Sequence, residues 1–208
     1  MNDNSFTLSP VTLWLLVVLA GVQLVRSVLP LELDAYFIYF LGFNPFRSGY
    51  LDPIWLYGAA TSVFVHGGWW HLLVNAMWIL VVSPQLLPHM SVRRFVGLFI
   101  LTGVVGALVH SVVNWGESAI LVGASGSAFG LLGAGAYVLL RGQDGFSKPS
   151  GKDIVQYVLL MMIVNVGYAF LSGGNVSWEA HAGGFFAGMA LFPFLRQPTS
   201  ATRSDPGS

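Results

Sequence analysis

Three groups of polar residues interrupt otherwise apolar parts of the chain, and two of them contain residue types that could carry out acyl transfer. Ser125 lies in a Gly-Ala-Ser-Gly motif at residues 123–126, and His181 lies in an Ala-His-Ala-Gly-Gly motif at residues 180–184. A serine hydroxyl needs a neighbouring base to act as a nucleophile, and histidine is the commonest such base. We therefore predict that Ser125 is a nucleophile and that His181 is its general base.

The third group, His71 and Asn75, supplies hydrogen-bond donors. Because the two side chains are four residues apart, they lie on one face of a helix. A tetrahedral intermediate of acyl transfer needs donors aimed at its oxyanion. We predict that His71 and Asn75 form an oxyanion hole together with the backbone N–H of Ser125.

These residues also have structural interpretations. A serine in a segment rich in glycine and alanine is usually a packing residue whose hydroxyl bonds to its own helix, and Asn75 could join two helices through its amide. Gly184 and Gly188 form a face of small residues four apart, which would bring His181 close to Ser125. The similar depth and side of all three groups favours the chemical interpretation.

The composition indicates the kind of protein that holds these residues. Of the 208 residues, 55% are hydrophobic and only 9% are charged, whereas soluble domains have about 25% charged residues. So few charges cannot cover a water-facing surface, and we predict an all-α integral membrane protein in a lipid bilayer. The formal net charge of zero argues against a nucleic-acid partner, and the absence of cysteine excludes cysteine nucleophiles.

Charge-free stretches that are long enough to cross a bilayer predict six helices. The predicted spans are residues 11–28, 69–83, 95–115, 119–140, 154–171 and 178–195. Residues 29–68 are predicted to form an interfacial loop, which ends at a break at Gly67–Gly68. Residues 1–10 and 197–208 flank this core of residues 11–196, and the C-terminal tail is predicted to be disordered.

The positions of the basic residues predict the orientation of these spans. Seven of the nine Lys and Arg residues follow spans two, four and six, whereas Arg26 and Arg47 lie in the opposite loops. By the positive-inside rule both termini are cytoplasmic, and the three polar groups lie near outward-facing helix ends. Because no organelle-targeting presequence is seen, a bacterial plasma membrane is the predicted location. The loop at residues 171–178 is predicted to gate a water-filled cavity.

At these residues the sequence resembles the rhomboid family of intramembrane serine proteases. That family has a Gly-x-Ser-Gly motif on its fourth core helix, Ala-His-x-x-Gly-x-x-x-Gly on its sixth and His-x-x-x-Asn on its second. Residues 123–126, 180–188 and 71–75 match these motifs in order and spacing. His66 falls where many members have another histidine. The resemblance covers about residues 55–195.

The resemblance implies a six-helix rhomboid-like bundle that cleaves transmembrane protein substrates near their outer end, without a metal or a cofactor. The sequence has no His-Glu-x-x-His motif for zinc and no aspartate in the core spans for an aspartyl pair, so a Ser-His dyad is expected. Beside the dyad and the oxyanion donors, the residues expected to support the site are Gly123, Gly126, Phe129, Gly184 and Gly188.

The sequence departs from the family pattern at two positions. Many members have an arginine after the tryptophan of the first outward loop, whereas Leu56 follows Trp55 here, so the contribution of that arginine is expected to be absent. Phe129 stands where a tyrosine is common. Because phenylalanine keeps the aromatic face, we expect it to stack on His181 all the same.

Two other functions remain open at this point. A rhomboid-like protein without catalytic activity would bind transmembrane helices, although such relatives usually lack the serine or the histidine. A small transporter would also use a polar cavity, but the sequence shows neither an inverted repeat nor two matching broken helices. Labelling of Ser125 by a serine-directed fluorophosphonate would distinguish an enzyme from both.

Overall fold

The computed structural model describes residues 9–141, 150–153, 155–157, 159, 160, 163, 167 and 176–197. Within these residues the fold is helical and has no regular strand, in agreement with the predicted class. The α-helices are α1 (Pro10–Val28), α2 (Leu31–Leu41), α3 (Gly58–Thr61), α4 (Trp69–Leu86), α5 (Val92–Val113), α6 (Ser125–Arg141) and α7 (Trp178–Leu195).

Three of the described helices are long and apolar enough to cross a membrane. They are α1, α5 and the segment Trp69–His89, which contains α4. These helices agree with the first three predicted spans to within a few residues. The predicted span at residues 154–171 and the predicted gate at residues 171–178 lie largely outside the described residues, so the count of six spans stays a prediction.

The predicted break before the second span is confirmed. Helix α4 begins at Trp69, directly after Gly68, whose φ is 154°. A side chain at this position would be strained, because only glycine adopts such a backbone conformation readily. The glycine therefore ends the preceding loop and fixes where α4 begins, two residues before His71.

The fourth predicted span begins later than the sequence suggested. Residues 119–124 are not helical, and α6 begins at Ser125 rather than at residue 119. The reason is that Leu121 pairs with Phe43: each backbone N–H donates to the other residue's carbonyl oxygen at 2.9 Å. These two bonds hold the segment extended, and Ser125 becomes the first residue of its helix.

The predicted interfacial loop contains helix α2, which was not predicted from the sequence. Helix α2 follows Pro30 and has no buried residue, and its aromatic side chains Tyr36 and Phe40 are largely exposed. Glu32 and Asp34 lie in its first turn, where carboxylates stabilise the positive end of a helix. An unburied, aromatic-rich helix of this kind is suited to the membrane interface.

Trp55, which is followed by leucine rather than arginine, contacts an arginine from another part of the loop. The guanidinium carbon of Arg47 lies 3.9 Å from the ring centroid of Trp55 and 4.0 Å from that of Tyr39. Its Nη2 also donates to the carbonyl oxygen of Gly42 at 3.3 Å. Arg47 thus joins α2 to the loop that follows it, through cation–π contacts.

Helix α6 is the centre of the bundle. It packs against α4, α5 and α7, and α5 also packs along α7. Fully buried apolar side chains from three of these helices, including Ile79, Phe99 and Leu131, fill the space between them. Because α6 is enclosed on these sides, the residues at its N-terminus have a fixed position relative to α4 and α7.

Candidate active site

One cavity of about 690 Å³ is lined by three of the four side chains predicted to take part in the reaction. Its wall includes Ser125 at the start of α6, His181 in the first turn of α7 and His71 in the first turn of α4. His181 is buried, whereas Ser125 is half-buried. The structure therefore brings the predicted nucleophile, the predicted base and one predicted oxyanion donor to a single cavity.

The loop before Ser125 is held by hydrogen bonds to the chain that precedes α4. The backbone N–H of Gly123 donates to the carbonyl oxygen of Ser62 at 2.9 Å, and the N–H of Ala124 donates to Nε2 of His66 at 3.3 Å. Buried backbone donors must be paired in this way, or they cost free energy. His66, which is fully buried, thus supports the residue next to the predicted nucleophile.

Gly123 has no room for a side chain. Its φ is 123°, and a Cβ atom there would lie 2.6 Å from Cε1 and 2.7 Å from Nε2 of His71. The absence of a side chain therefore allows the His71 ring to lie directly against the loop that carries Ser125. On its other edge, Nδ1 of His71 accepts from the N–H of Gly67 at 3.3 Å, so a neutral ring has its proton on Nε2.

The ring of His181 is held by a side chain from the helix of Ser125. Phe129 lies one turn after Ser125 on α6, and its ring stacks on His181 with centroids 4.3 Å apart and an angle of 7°. The stacking expected for Phe129 is present. Because one aromatic face covers the imidazole, the ring has a defined plane relative to α6.

Glycines allow α6 and α7 to approach closely just below this pair. A Cβ atom on Gly184 would collide with the carbonyl oxygen of Gly126, and one on Gly188 would collide with that of Gly130. Small residues at such spacing are typical of tightly packed membrane helices. The expected supporting roles of Gly126, Gly184 and Gly188 are consistent with this contact.

Asn75, the other predicted oxyanion side chain, lies one turn after His71 on α4. It is buried and does not belong to the cavity wall, as far as the described residues define it. Its Nδ2 donates to the carbonyl oxygen of His71 at 3.0 Å, one turn earlier in α4. This local bond directs the amide along its own helix.

Five polar residues on the cavity wall, one of which is Glu117, were missed by the sequence analysis. The other four are joined by hydrogen bonds, and we call them the outer polar cluster: His110, Asn114, Ser177 and Glu179. The Ser177 hydroxyl lies 2.8 Å from Nδ1 of His110 and 3.1 Å from Oε2 of Glu179. Nδ2 of Asn114 donates to Oε1 of Glu179 at 3.3 Å. The cluster joins the end of α5 to the start of α7.

Two signals in the sequence could have revealed this cluster. His110 and Asn114 repeat the His-x-x-x-Asn spacing of His71 and Asn75. Glu179 lies two residues before His181, but its charge was used only to mark the limit of an apolar stretch. Among the described residues, no group of three His, Asp or Glu side chains could hold a metal ion.

Helix α1 is also connected to the site, through a buried ion pair. Arg26 donates from Nε and Nη2 to the two carboxylate oxygens of Asp34, at 2.7 and 3.0 Å, and is only 7% exposed. Its Nη1 donates to the carbonyl oxygen of His66. Bidentate arginine–carboxylate pairs of this kind are geometrically specific. The pair fixes the chain that supports Ala124.

A bundle of apolar helices around a polar cavity is the architecture of a polytopic membrane protein with an internal site. The chain matches the Rhomboid domain family over residues 55–198, which is more than half of its length. The protein therefore belongs to the rhomboid family.

Individual relatives agree with this assignment. The chain is 30% identical over 139 residues to RHOMBOID-like protein 5 of Arabidopsis thaliana, an alignment that covers 66% of this chain and 44% of the relative. It is 31% identical over 135 residues to Rhomboid protease GluP of Bacillus subtilis, covering 63% and 25%. It is 33% identical over 139 residues to Rhomboid-like protease 5 of Toxoplasma gondii, covering 64% and 15%. The chain thus spans less than half the length of these relatives, and the family includes proteins named as proteases.

Proposed function

We propose that the protein is an intramembrane serine endopeptidase that cleaves transmembrane proteins near their outer end. Ser125 is the nucleophile and His181 the general base, and no metal or cofactor takes part. The observation that supports this most is that both residues line one cavity, with Phe129 from the serine's own helix stacked on the histidine. The alternative is a rhomboid-like protein that binds transmembrane helices without cutting them.

In the proposed reaction, the Ser125 hydroxyl oxygen attacks the carbonyl carbon of the scissile peptide bond, and its proton passes to His181. The tetrahedral intermediate collapses when His181 returns this proton to the leaving amine, which leaves an acyl ester on Ser125. A water molecule in the cavity then attacks the ester, and His181 accepts its proton. His181 returns this proton to the Ser125 oxygen as the ester bond breaks, which releases the second product and restores both side chains.

The negative oxygen of the intermediate is stabilised from two sides in this proposal. Ser125 is the first residue of α6, and the N–H groups of a first turn have no acceptor within their helix. These donors and the positive end of the helix dipole stabilise the negative oxygen of the intermediate when it forms near the Ser125 side chain. Nε2–H of His71 approaches from the other side, across Gly123.

The extended segment before α6 suggests how a substrate would lie. Leu121 uses its backbone N–H and carbonyl to pair with Phe43, so the backbone groups of Ile120 and Val122 point to the opposite side. Both residues belong to the cavity wall. We propose that an unwound stretch of substrate pairs with this edge as an added strand, which would bring its scissile bond to Ser125.

The orientation with both termini in the cytoplasm is part of the proposal, because seven of the nine Lys and Arg residues follow spans two, four and six. The cavity then opens outward from what we propose is a bacterial plasma membrane. The natural chain has no cysteine, so single cysteines report on topology. An impermeant thiol reagent added to intact cells should label a Ser48→Cys variant and spare a Ser150→Cys variant. The reverse pattern would overturn the orientation.

Labelling by a fluorophosphonate tests whether the protein is a serine enzyme. An activated Ser125 should be labelled in purified wild-type protein and not in Ser125→Ala. Ser127→Ala is the matched control, because Ser127 is fully buried, lies two residues away and is not part of the cavity wall. It should label as the wild type does. Wild-type protein that resists labelling and leaves transmembrane substrates intact would favour the non-catalytic alternative.

Replacement of either predicted oxyanion donor by alanine is expected to slow the reaction rather than abolish it. Loss of one such donor typically costs about 10² to 10³ in turnover, and the backbone donors of α6 should preserve part of the activity of His71→Ala. Asn75 donates to the backbone of its own helix, so its replacement by alanine tests whether the amide turns toward the substrate during the reaction. A role as donor predicts a similar slow rate for Asn75→Ala.

Measuring the melting temperature and turnover on the same preparations separates this role from packing. If Asn75 only stabilises the helix, Asn75→Ala should melt earlier and cleave at the normal rate per folded molecule. That result would remove Asn75 from the oxyanion hole. Normal turnover in His71→Ala would remove His71 in the same way.

A further inference from the structure

The outer polar cluster has a place in the same site. We propose that His110, Asn114, Ser177 and Glu179 position the first turn of α7 and, through it, the imidazole of His181. The inference rests on the proposed function, in which His181 is the general base. These four are positioning residues, because in this proposal they act on the reaction through His181.

The hydrogen bonds of the cluster form one network. The Ser177 hydroxyl accepts from the N–H of Ala180 at 3.3 Å and donates to Glu179 at 3.1 Å. Nδ1 of His110 lies 2.8 Å from this hydroxyl and 3.0 Å from Nδ2 of Asn114, and the tautomer of the ring decides whether it donates to the first or accepts from the second. Nδ2 of Asn114 also donates to Glu179 and to the carbonyl oxygen of His110. These contacts connect the end of α5 to the start of α7.

The backbone contacts between α5 and α7 lie at the same level. A Cβ atom on Gly106 would lie 2.6 Å from the carbonyl oxygen of Ala180, the residue before His181. A Cβ atom on Gly183 would lie 2.8 Å from Cβ of Val109. Helix α5 therefore touches α7 on both sides of His181 in the sequence, and the cluster closes this contact at its outer end.

The position of His181 is thus determined by two neighbouring helices. Phe129 on α6 fixes the plane of the imidazole ring. The cluster, which joins the end of α5 to the start of α7, fixes the position of the backbone that carries this ring. Glu179 is only 8% exposed, so it is stable as a carboxylate only while its partners hold it. Removing the carboxylate or its partners should allow the first turn of α7 to move away from α5.

Substitutions of Glu179 test this inference against a general loss of stability. The kcat and KM for a reconstituted transmembrane substrate, the rate of fluorophosphonate labelling and the melting temperature are measured for Glu179→Ala and Glu179→Gln. A displacement of about 1 Å in a reacting group can cost about 10² in rate. We expect Glu179→Ala to lower kcat and the labelling rate to about this extent, with KM unchanged. Glu179→Gln, whose amide oxygen can accept from Asn114 and whose amide nitrogen can donate to the Ser177 hydroxyl, should recover most of the rate.

Two further variants complete the test. Glu32→Ala is the control, because Glu32 is an exposed carboxylate on α2, outside the cavity wall, and its loss should leave both rates unchanged. Ser177→Ala removes the central hydroxyl of the cluster and leaves the Glu179 carboxylate in place. This variant tests the positioning role if Glu179→Ala does not fold. It should lower kcat in the same direction, by a smaller factor.

The possible outcomes separate this inference from the proposed function. An active wild type whose Glu179→Ala and Ser177→Ala variants melt earlier but keep their kcat would overturn the positioning role. A Glu179→Gln variant as slow as Glu179→Ala would also overturn it, because the charge rather than the geometry would then matter. A wild type that neither cleaves nor labels would overturn the proposed function, and this inference with it.

Discussion

Replacing Ser125 or His181 by alanine is expected to abolish cleavage of a transmembrane substrate while leaving the protein folded. A nucleophile and its base act as a unit, so the loss of either costs nearly as much as the loss of both, on the order of 10⁶ in turnover. Neither change is expected to disturb the glycine contacts that join α6 to α7. The measurement is the cleavage rate of purified variants in lipid vesicles, with the melting temperature of each variant in parallel.

The control for this prediction is again Ser127→Ala. The Ser127 hydroxyl has no hydrogen-bond partner among the described residues, so its removal should leave both folding and the cleavage rate close to wild type. If Ser125→Ala or His181→Ala retains substantial activity, the dyad is wrong. A double variant that is much slower than either single variant would show that the two residues act independently.

Gly123→Ala is expected to have the second largest effect, and Gly116→Ala offers a matched comparison. Both glycines have positive φ values, 123° and 86°, so an alanine at either position costs about 1–3 kcal/mol of backbone strain. Only at Gly123 does the new Cβ atom meet another group, the imidazole of His71, whereas nothing lies within 4 Å of it at Gly116. Both variants should therefore melt earlier.

Turnover should separate the two glycine variants. Gly123→Ala displaces His71 from the loop that carries Ser125, and we expect turnover per folded molecule to fall by about 10² or more, as for the loss of an oxyanion donor. Gly116→Ala should cleave at the wild-type rate once corrected for folded fraction. Equal turnover in the two variants would mean that the contact between residue 123 and His71 has no part in the reaction.

The parts of the fold that were predicted correctly depend on strong local signals. The break at Gly68 and the start of α4 follow from the backbone freedom of glycine, which is visible in the sequence. The meeting of Ser125 and His181 at one cavity follows from similar distances to charged span ends. The stacking of Phe129 on His181 was expected from the family resemblance, because phenylalanine keeps the aromatic face of the tyrosine that is common at this position.

The parts that were missed depend on contacts between distant segments. Residues 118–122 are apolar enough to be part of a helix, and hydropathy alone does not distinguish a short extended apolar segment from a helical one. The segment is extended because Leu121 pairs with Phe43, a residue far away in the chain. Likewise, the direction of the Asn75 amide is set by a hydrogen bond whose existence the spacing does not reveal.

The ion pair between Arg26 and Asp34 has a consequence for where the functional unit of this protein begins. The region that matches the rhomboid family starts at residue 55, and both residues of the pair lie before it. Nevertheless, Arg26 bonds the carbonyl oxygen of His66, and His66 in turn supports the residue next to Ser125. A fragment cut at the edge of the recognisable family region would therefore keep every residue assigned to the reaction and lose an anchor that holds them in register. We therefore expect the unit needed for the proposed function to be larger than the unit that sequence similarity reveals.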